Sequence, residues 1–290
     1  MSAPALQRVL IAGCGYVGTA LARLLVQEGH SVTGLRRSAA GLGEGITTLR
    51  ADLVGGAGLE QLTEGYDTVF YTTGADGFSE EAYRAAYVTG LQNLLGALVD
   101  QPHPPRRLIY TSSTGVYAQD GGELVDETAE TRPRKFSGSV LLEGERTALS
   151  GPIRAVVVRF AGIYGPGRSR LVDQVRRGEA YTLAGREQCL NLIHRDDCAG
   201  VLRHVMNLDD PAPIYNGVDD APMPRAEVLR WIARRIGAPE PPERPADGTP
   251  DPQRGGNRRI SNRLLRASGY DFRYPSCLEG YGSMIDEEQL

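Results

Sequence analysis

The sequence predicts an α/β fold: a doubly wound parallel sheet with a smaller C-terminal lobe. Three observations carry that expectation. Short β-branched or apolar runs alternate with amphipathic stretches through the first two thirds of the chain, and a glycine-rich turn follows the first run directly. After "GIYGPGR" the rhythm changes, and prolines crowd residues 211–252. Alternation of this kind is how βαβ units wind a parallel sheet covered on both faces.

Taken in order, the strand-like runs are "RVLIAG", "SVTGLRR", "ITTLRADL", "TVFYTTG", "RRLIYTSS" and "RAVVVRFAG". Residues 17–28 and 80–100 repeat apolar positions at helical spacing between them. The segment 239–256, "PEPPERPADGTPDPQRGG", is too rich in proline, glycine and charge for a core element and reads as a surface loop. "NRRISNRLLRASGYDFRYPS" then resumes order with a short helix ending near Gly269.

Composition narrows the function classes. The chain has 290 residues, 41% hydrophobic and 23% charged, which suits a globular protein with a sizeable core. A net charge of -4 gives no electrostatic reason to expect nucleic acid or an anionic membrane as partner. Lys135 is the only lysine, so thirty-one of the thirty-two basic residues are arginine. The four cysteines, Cys14, Cys189, Cys198 and Cys277, form no C-x-x-C pair and no zinc-like spacing. No metal site is expected. No leader or membrane span is visible, so the expected location is the cytoplasm.

Gly13, Gly15 and Gly18 form G-x-G-x-x-G in "VLIAGCGYVGTALARLL", directly after a strand and at the start of a helix, with Tyr16 and Val17 inside the motif as further expected cofactor contacts. Alone the motif is weak; in this context it predicts a Rossmann dinucleotide site, with the pyrophosphate on the helix N-terminus. Cys14, inside the loop, reads as a small filler residue. An acid at the end of the second strand would accept from the ribose 2′-OH of NAD(H), but Arg36 and Arg37 stand there instead. Guanidinium groups cannot accept a hydrogen bond, yet they pair well with a 2′-phosphate. NADP(H) is therefore expected ahead of NAD(H).

From here the chain resembles the extended short-chain dehydrogenase/reductases, the NAD-dependent epimerase/dehydratase family, over nearly its whole length. "ADL", with Asp52 and Leu53, looks like the adenine-contacting segment, and "YTTGA", with Thr72, Thr73 and Gly74, like the fourth-strand cofactor segment. "VTGLQNLL", "TSSTGVYA", "RFAGIYGPGR", "LIHRDDCAG" and "YNGVDD" follow in family order, and the tail is similar to a small atypical branch. The resemblance implies a nucleotide-binding domain of residues 1–166 plus about 190–218, and a substrate lobe of 167–189 and 219–290.

The family's chemistry, as the resemblance implies it, uses a Ser or Thr, a Tyr and a Lys four residues after the Tyr. Ser113 matches the serine. In "RPRKFSGSVLLEGERTAL", counting forward from Pro133 and back from Glu145 puts the tyrosine position at Ser137 and the lysine position at Leu141. Lys135 lies two residues before the tyrosine position. A serine hydroxyl is too weak an acid to replace the phenol unaided, so cofactor binding and catalysis come apart. Tyr164 is the substitute acid considered first, with Tyr117, Glu143, Glu145 and His194 read mainly as packing, capping or ion-pair residues. Arg159, Arg168, Arg170 and Arg186 cluster in sequence before the second lobe; Arg168 is the preferred contact for a substrate phosphate, with Asn191 and Arg195 as further candidates.

Two readings of function follow. One is an NADP(H)-dependent oxidoreductase or epimerase acting on a nucleotide-sugar or carbohydrate-like hydroxyl or carbonyl. The other is a catalytically degenerate cofactor-binding sensor or partner-binding module. The expected partner is a small molecule, with a homodimer through the fourth and fifth helices permitted by apolar Val140, Leu141 and Leu142.

Overall fold

A computed structural model describes residues 5–38, 41–63, 65–99, 101–185, 188–245 and 257–289. The chain divides into two compact units, residues 1–117 with 131–159 and 198–215, and residues 118–130 with 160–197 and 216–290. Relative to the expected boundaries, residues 118–130, 160–166, 190–197 and 216–218 fall in the second unit. Their short strands pair there, Leu124–Val125 with Arg259–Ile260 and Gly162–Tyr164 with Leu192–His194.

The first unit is built on a seven-stranded sheet whose strands are β1 (Arg8–Ala12), β2 (Ser31–Arg36), β3 (Ile46–Arg50), β4 (Thr68–Tyr71), β5 (Arg107–Ser113), β6 (Ala155–Phe160) and β7 (Ile214–Gly217). Their order is β7-β6-β5-β4-β1-β2-β3, so the winding direction reverses between β1 and β4. β1 runs parallel to both β2 and β4. In such sheets ligands bind outside the carboxyl ends of the strands at that reversal. Each of the six strand-like runs became a strand; β7 comes from "YNGVDD", the late strand implied by the resemblance. β1 and β4 are buried on both faces, which is why they read as unbroken apolar runs.

Helix α1 (Tyr16–Gln27) follows the glycine turn. The long helical stretch expected at 80–100 is interrupted: α2 (Glu80–Arg84) passes through a π turn (Ala85–Thr89) into α3 (Gly90–Val99). The sheet beneath explains why the turn is tolerated. Tyr71 of β4 donates to the Ala86 carbonyl at 2.5 Å and Tyr110 of β5 to the Tyr87 carbonyl at 3.2 Å, so tyrosine hydroxyls bond carbonyls of the widened turn. The two rings stack at 5.6 Å. Helix α4 (Phe136–Leu149) packs so closely that a Cβ on Gly144 would lie 2.2 Å from the Tyr110 hydroxyl.

In the second unit, α5 (Arg170–Arg176) precedes α6 (Arg195–Asn207), whose last turns belong to the first unit. Then come α7 (Arg225–Ile236), α8 (Arg263–Ala267) and α9 (Cys277–Gln289). Val172, Val175, Val228, Leu229, Ile232, Tyr281 and Ile285 close a separate apolar core there. α8 stops as expected just before Gly269, which takes a φ of +96°. Of the expected loop 239–256, residues 246–256 lie outside the described residues, while Glu243–Arg244 forms an exposed two-residue strand beside Thr182–Leu183. None of the described helices is long and apolar enough to cross a membrane. None of the four cysteines forms a disulfide.

Candidate dinucleotide site and its arginines

Each glycine of the turn after β1 answers a different physical demand. Gly13 has a φ of +87°, and a Cβ there would lie 2.5–2.6 Å from Thr73 atoms, including its backbone. Gly18 is tight as well: a Cβ would meet Thr72 Oγ1 at 2.7 Å and the Gly13 carbonyl at 2.8 Å, so this glycine lets α1 approach the sheet. Gly15 differs from both. It is exposed, and its Cβ would meet only the Gly13 carbonyl, at 3.9 Å. Open space at the middle glycine is what close approach of a pyrophosphate requires.

The rest of the loop is braced from below. The N–H groups of Gly13 and Cys14 donate to the Leu35 carbonyl of β2, and Thr72 Oγ1 donates to the Gly13 carbonyl at 2.9 Å. Cys14 is buried against Gly34, and burial raises its thiol pKa, which fits a filler role. Gly15 caps α1 with no side-chain hydrogen bond, and the first turn carries no acid. Half-buried Tyr16 and Val17 open that turn. No acid in that turn therefore competes with an incoming anion for the helix dipole and the backbone N–H groups.

Arg36 and Arg37 sit at the carboxyl end of β2. Arg36 is half-buried and has no ion-pair partner among the described residues. Arg37 is exposed and holds Asp76 in a two-point ion pair, Nη1 to Oδ2 at 2.6 Å and Nη2 to Oδ1 at 2.5 Å. A third arginine, which the sequence reading missed, joins them: the β2–β3 register sets Arg50 opposite Arg36, and its Nε donates to the Arg37 carbonyl at 3.3 Å. Asp52 accepts from the Val54 N–H at 3.0 Å, and Asn93 donates to the carbonyls of Leu53 and Val54, fixing the segment that follows β3. Thr72, Thr73 and exposed Gly74 leave the end of β4 beside the glycine turn.

Ser113, at the end of β5, accepts from the Gly115 N–H at 3.1 Å and donates to no protein atom among the described residues. Its hydroxyl hydrogen is available. The N-terminal turn of α4 docks alongside through Gly138, where a Cβ would lie 2.8 Å from the Gly115 carbonyl and 2.4 Å from the Pro133 Cβ. Ser137, one residue earlier, is half-buried with its hydroxyl unpartnered among the described residues; Leu141, one turn on, is 6% exposed. Lys135 precedes the helix and is exposed.

Beneath these residues lies a buried polar network. Ser112 donates to Glu145 Oε1 at 2.6 Å; Arg159 grips the same carboxylate through Nε at 2.9 Å and Nη2 at 2.7 Å, and donates from Nη1 to the Tyr117 hydroxyl at 2.8 Å. Glu145 and Tyr117 are thus structural, and Glu143 pairs with Arg84 at the surface, as read from sequence. Arg159, grouped from sequence with the substrate-side arginines, is instead 4% exposed and engaged by Glu145 and Tyr117.

The NAD dependent epimerase/dehydratase family model matches residues 9–216, well over half of the chain. The chain belongs to that family. A solved Methylobacillus flagellatus protein, provisionally described as an NAD-dependent epimerase/dehydratase, is 35% identical over 99% of this chain and all of its own, with a TM-score of 0.83. Protein YeeZ of Escherichia coli K12 is 29% identical over 94% of this chain and 98% of its own. Human SDR39U1, solved with NADPH, shares the fold at a TM-score of 0.76 and 22% identity, covering 96% of this chain and 99% of its own.

In the second unit of this epimerase/dehydratase-family protein, the substrate-side candidates have mixed surroundings. Arg168 is exposed on a turn closed by its backbone bonds to Gly165, and Arg170 is exposed at the start of α5. Asn191 spends both ends of its amide on backbone, donating to the Arg258 carbonyl and accepting from the Ile260 N–H, so it anchors a strand rather than facing solvent. Arg195 donates to Asp196. Arg186 lies outside the described residues.

Tyr164 is corrected to a packing residue. It is 3% exposed, its ring packed at a tilt against Tyr281 with centroids 4.4 Å apart, and burial pushes its phenol far above the usual range. His194 is both packed and capping: burial lowers it to about 4, and Nδ1 accepts from the Asp196 N–H. Nearby, Asp219 is 2% exposed and its Oδ2 has no partner among the described residues, so burial pushes this carboxyl up to about 8.

A carboxyl whose folded pKa exceeds its unfolded value keeps a proton that the unfolded chain releases, so it costs stability as pH rises from about 4 toward its folded pKa. Asp219→Asn removes that dependence. Relative to the parent, the variant should gain about 1 kcal/mol per pH unit between roughly pH 6 and 8 in urea unfolding. A constant difference across that range would show that Asp219 is ionised in the fold.

Proposed function

We propose that this epimerase/dehydratase-family protein binds NADP(H) in preference to NAD(H) and acts as a reductase or epimerase on a hydroxyl or carbonyl of a nucleotide-sugar or carbohydrate-like substrate. One observation carries the cofactor choice: Arg36 and Arg37, with no acid beside them in the chain, end β2, and the β2–β3 register sets Arg50 opposite Arg36. Human SDR39U1, solved with NADPH, supports the same reading. The glycine turn would hold the pyrophosphate, Arg36 and its neighbours the 2′-phosphate, and Asp52 with Leu53 the adenine edge.

When bound, the nicotinamide supplies or accepts a hydride. The protein's part begins with Ser113, whose spare hydroxyl hydrogen can bond a substrate oxygen and polarise it. α4 is read as the helix that bears the acid/base in relatives of this kind, with Ser137 and Leu141 at the tyrosine and lysine positions. Arg168, exposed on its turn, remains the candidate for a substrate phosphate.

Fluorescence titration tests the cofactor reading. NADPH should bind at least about tenfold more tightly than NADH, and Arg36→Gln should erase most of that ratio, since a charge-assisted hydrogen bond contributes about 1.5–3 kcal/mol. Equal affinities would remove the claim. The second reading, a cofactor-bound sensor, is favoured by an α4 that carries neither tyrosine nor lysine. Hydride transfer from NADPH to any member of a nucleotide-sugar panel decides for the enzyme; tight binding without turnover decides for the sensor.

A further inference from the structure

We infer that Asp76 is an internal competitor of the cofactor's 2′-phosphate, and that this carboxylate sets how strongly the site discriminates NADP(H) from NAD(H). The inference rests on the cofactor reading above and adds a residue that the family motifs do not mark. It begins with the partners of the three arginines. Among the described residues Arg36 has no carboxylate partner, Arg50 bonds a backbone carbonyl, and of the three only Arg37 is held by an acid at two points.

The position of that acid is unusual. Arg37 follows β2, whereas Asp76 lies two residues beyond Gly74 on the segment leaving β4. β1 lies between those two strands in the sheet, so their ends stand about two strand spacings apart, ~10 Å. The ion pair therefore spans the carboxyl end of β1, where the glycine turn begins. The guanidinium of Arg37 on the β2 side and the carboxylate of Asp76 from the β4 side thus meet across the end of that strand.

The chemistry then sets a choice. A carboxylate and a phosphate both accept the paired N–H bonds of a guanidinium fork, so they compete for Arg37. The carboxylate is local and always present; the Arg37 interaction holds Asp76 below the usual carboxylate range, so it stays ionised at neutral pH. The pair is nevertheless weak enough to open, with side chains 62% and 66% exposed, and exposed pairs are the least costly to break. NADPH must displace Asp76 and also bring a second anion close to it. NADH, lacking the 2′-phosphate, leaves the pair in place.

Asp76→Asn removes the competitor while keeping the side chain's size. NADPH should then bind about 3- to 10-fold more tightly, from the lost pair and the lost repulsion together, while NADH changes less than about twofold. The NADPH/NADH ratio should rise, and Asp76→Glu, which keeps the charge, should hold it near the parent value. Arg37→Gln in the Asp76→Asn background should cancel the gain.

The outcomes separate. If Asp76→Asn leaves the ratio unchanged or lowers it, Asp76 does not compete, even with the cofactor reading intact. If the unmodified protein binds neither NADPH nor NADH in the same titration, the cofactor reading itself fails and takes this inference with it.

Discussion

Glu145→Ala should destabilise the protein by about 3–5 kcal/mol, with a fall in melting temperature on the order of 10 °C. Glu145 is 3% exposed, and its carboxylate is the counter-ion of Arg159, itself 4% exposed. Taking the carboxylate away leaves a cation in the interior with one phenol hydroxyl and a ring face, at 5.0 Å from the Tyr117 centroid, as compensation. It also strips Ser112 of its acceptor. An uncompensated buried charge costs far more than a missing surface pair. Removing both charges together, as in Glu145→Met with Arg159→Leu, should recover much of the loss, because burying the pair carried its own desolvation cost. Thermal and urea unfolding of the two variants reads the result; a Glu145→Ala variant within about 1 kcal/mol of the parent would show that water reaches this network. A chemical consequence follows from chain geometry. Ser112 precedes Ser113, so the ion pair holds the end of β5 against α4, and cofactor titration of the weakened variant should show whether the first unit keeps its shape.

The double substitution Ser137→Tyr with Leu141→Lys should raise the rate of NADPH-dependent turnover on a substrate of the epimerase/dehydratase kind by about 10²- to 10⁴-fold, the usual contribution of a positioned acid/base. Positions 137 and 141 are one turn apart on the same face of α4, so an ammonium at the second can lower the pKa of a phenol at the first. The docking of Gly138 on the Gly115 carbonyl puts the first of them beside the loop that carries Ser113. Leu141 is 6% exposed, so the lysine must extend its ammonium toward the open side, as long basic side chains do. Each single substitution should gain much less than the pair: tyrosine without lysine keeps a high pKa, and lysine without tyrosine has no phenol to activate. Circular dichroism and NADPH titration confirm that the variant is folded and loaded. A folded, cofactor-bound double variant as slow as the parent would mean that α4 has been read in the wrong register.

Much of the fold was legible because its signals are local. A strand buried on both faces must be apolar throughout, and a turn with a φ of +87° at Gly13 must be glycine; neither requirement refers to distant residues. The same holds for the order of β1 to β6, for the stop at Gly269 and for the absence of an acid after β2. The π turn was not legible, since the hydroxyls that bond its carbonyls come from Tyr71 and Tyr110, which neighbour it only through the sheet. Asn191 was misread for a related reason. An amide looks the same in sequence whether it meets a substrate or pins Arg258 and Ile260, sixty-seven and sixty-nine residues away.

Sequence alone therefore determined the doubly wound sheet, the glycine turn and the arginines that end β2, because backbone conformation and residue chemistry are properties of short segments. Tertiary structure decided which of thirty-one arginines matter and how. Arg159 went to a buried carboxylate, Arg37 to Asp76, thirty-nine residues away, and Arg50 to a place beside Arg36 through the pairing of two strands. A long cationic side chain takes whatever partner the fold brings within reach, and that reach is a distance in space rather than along the chain.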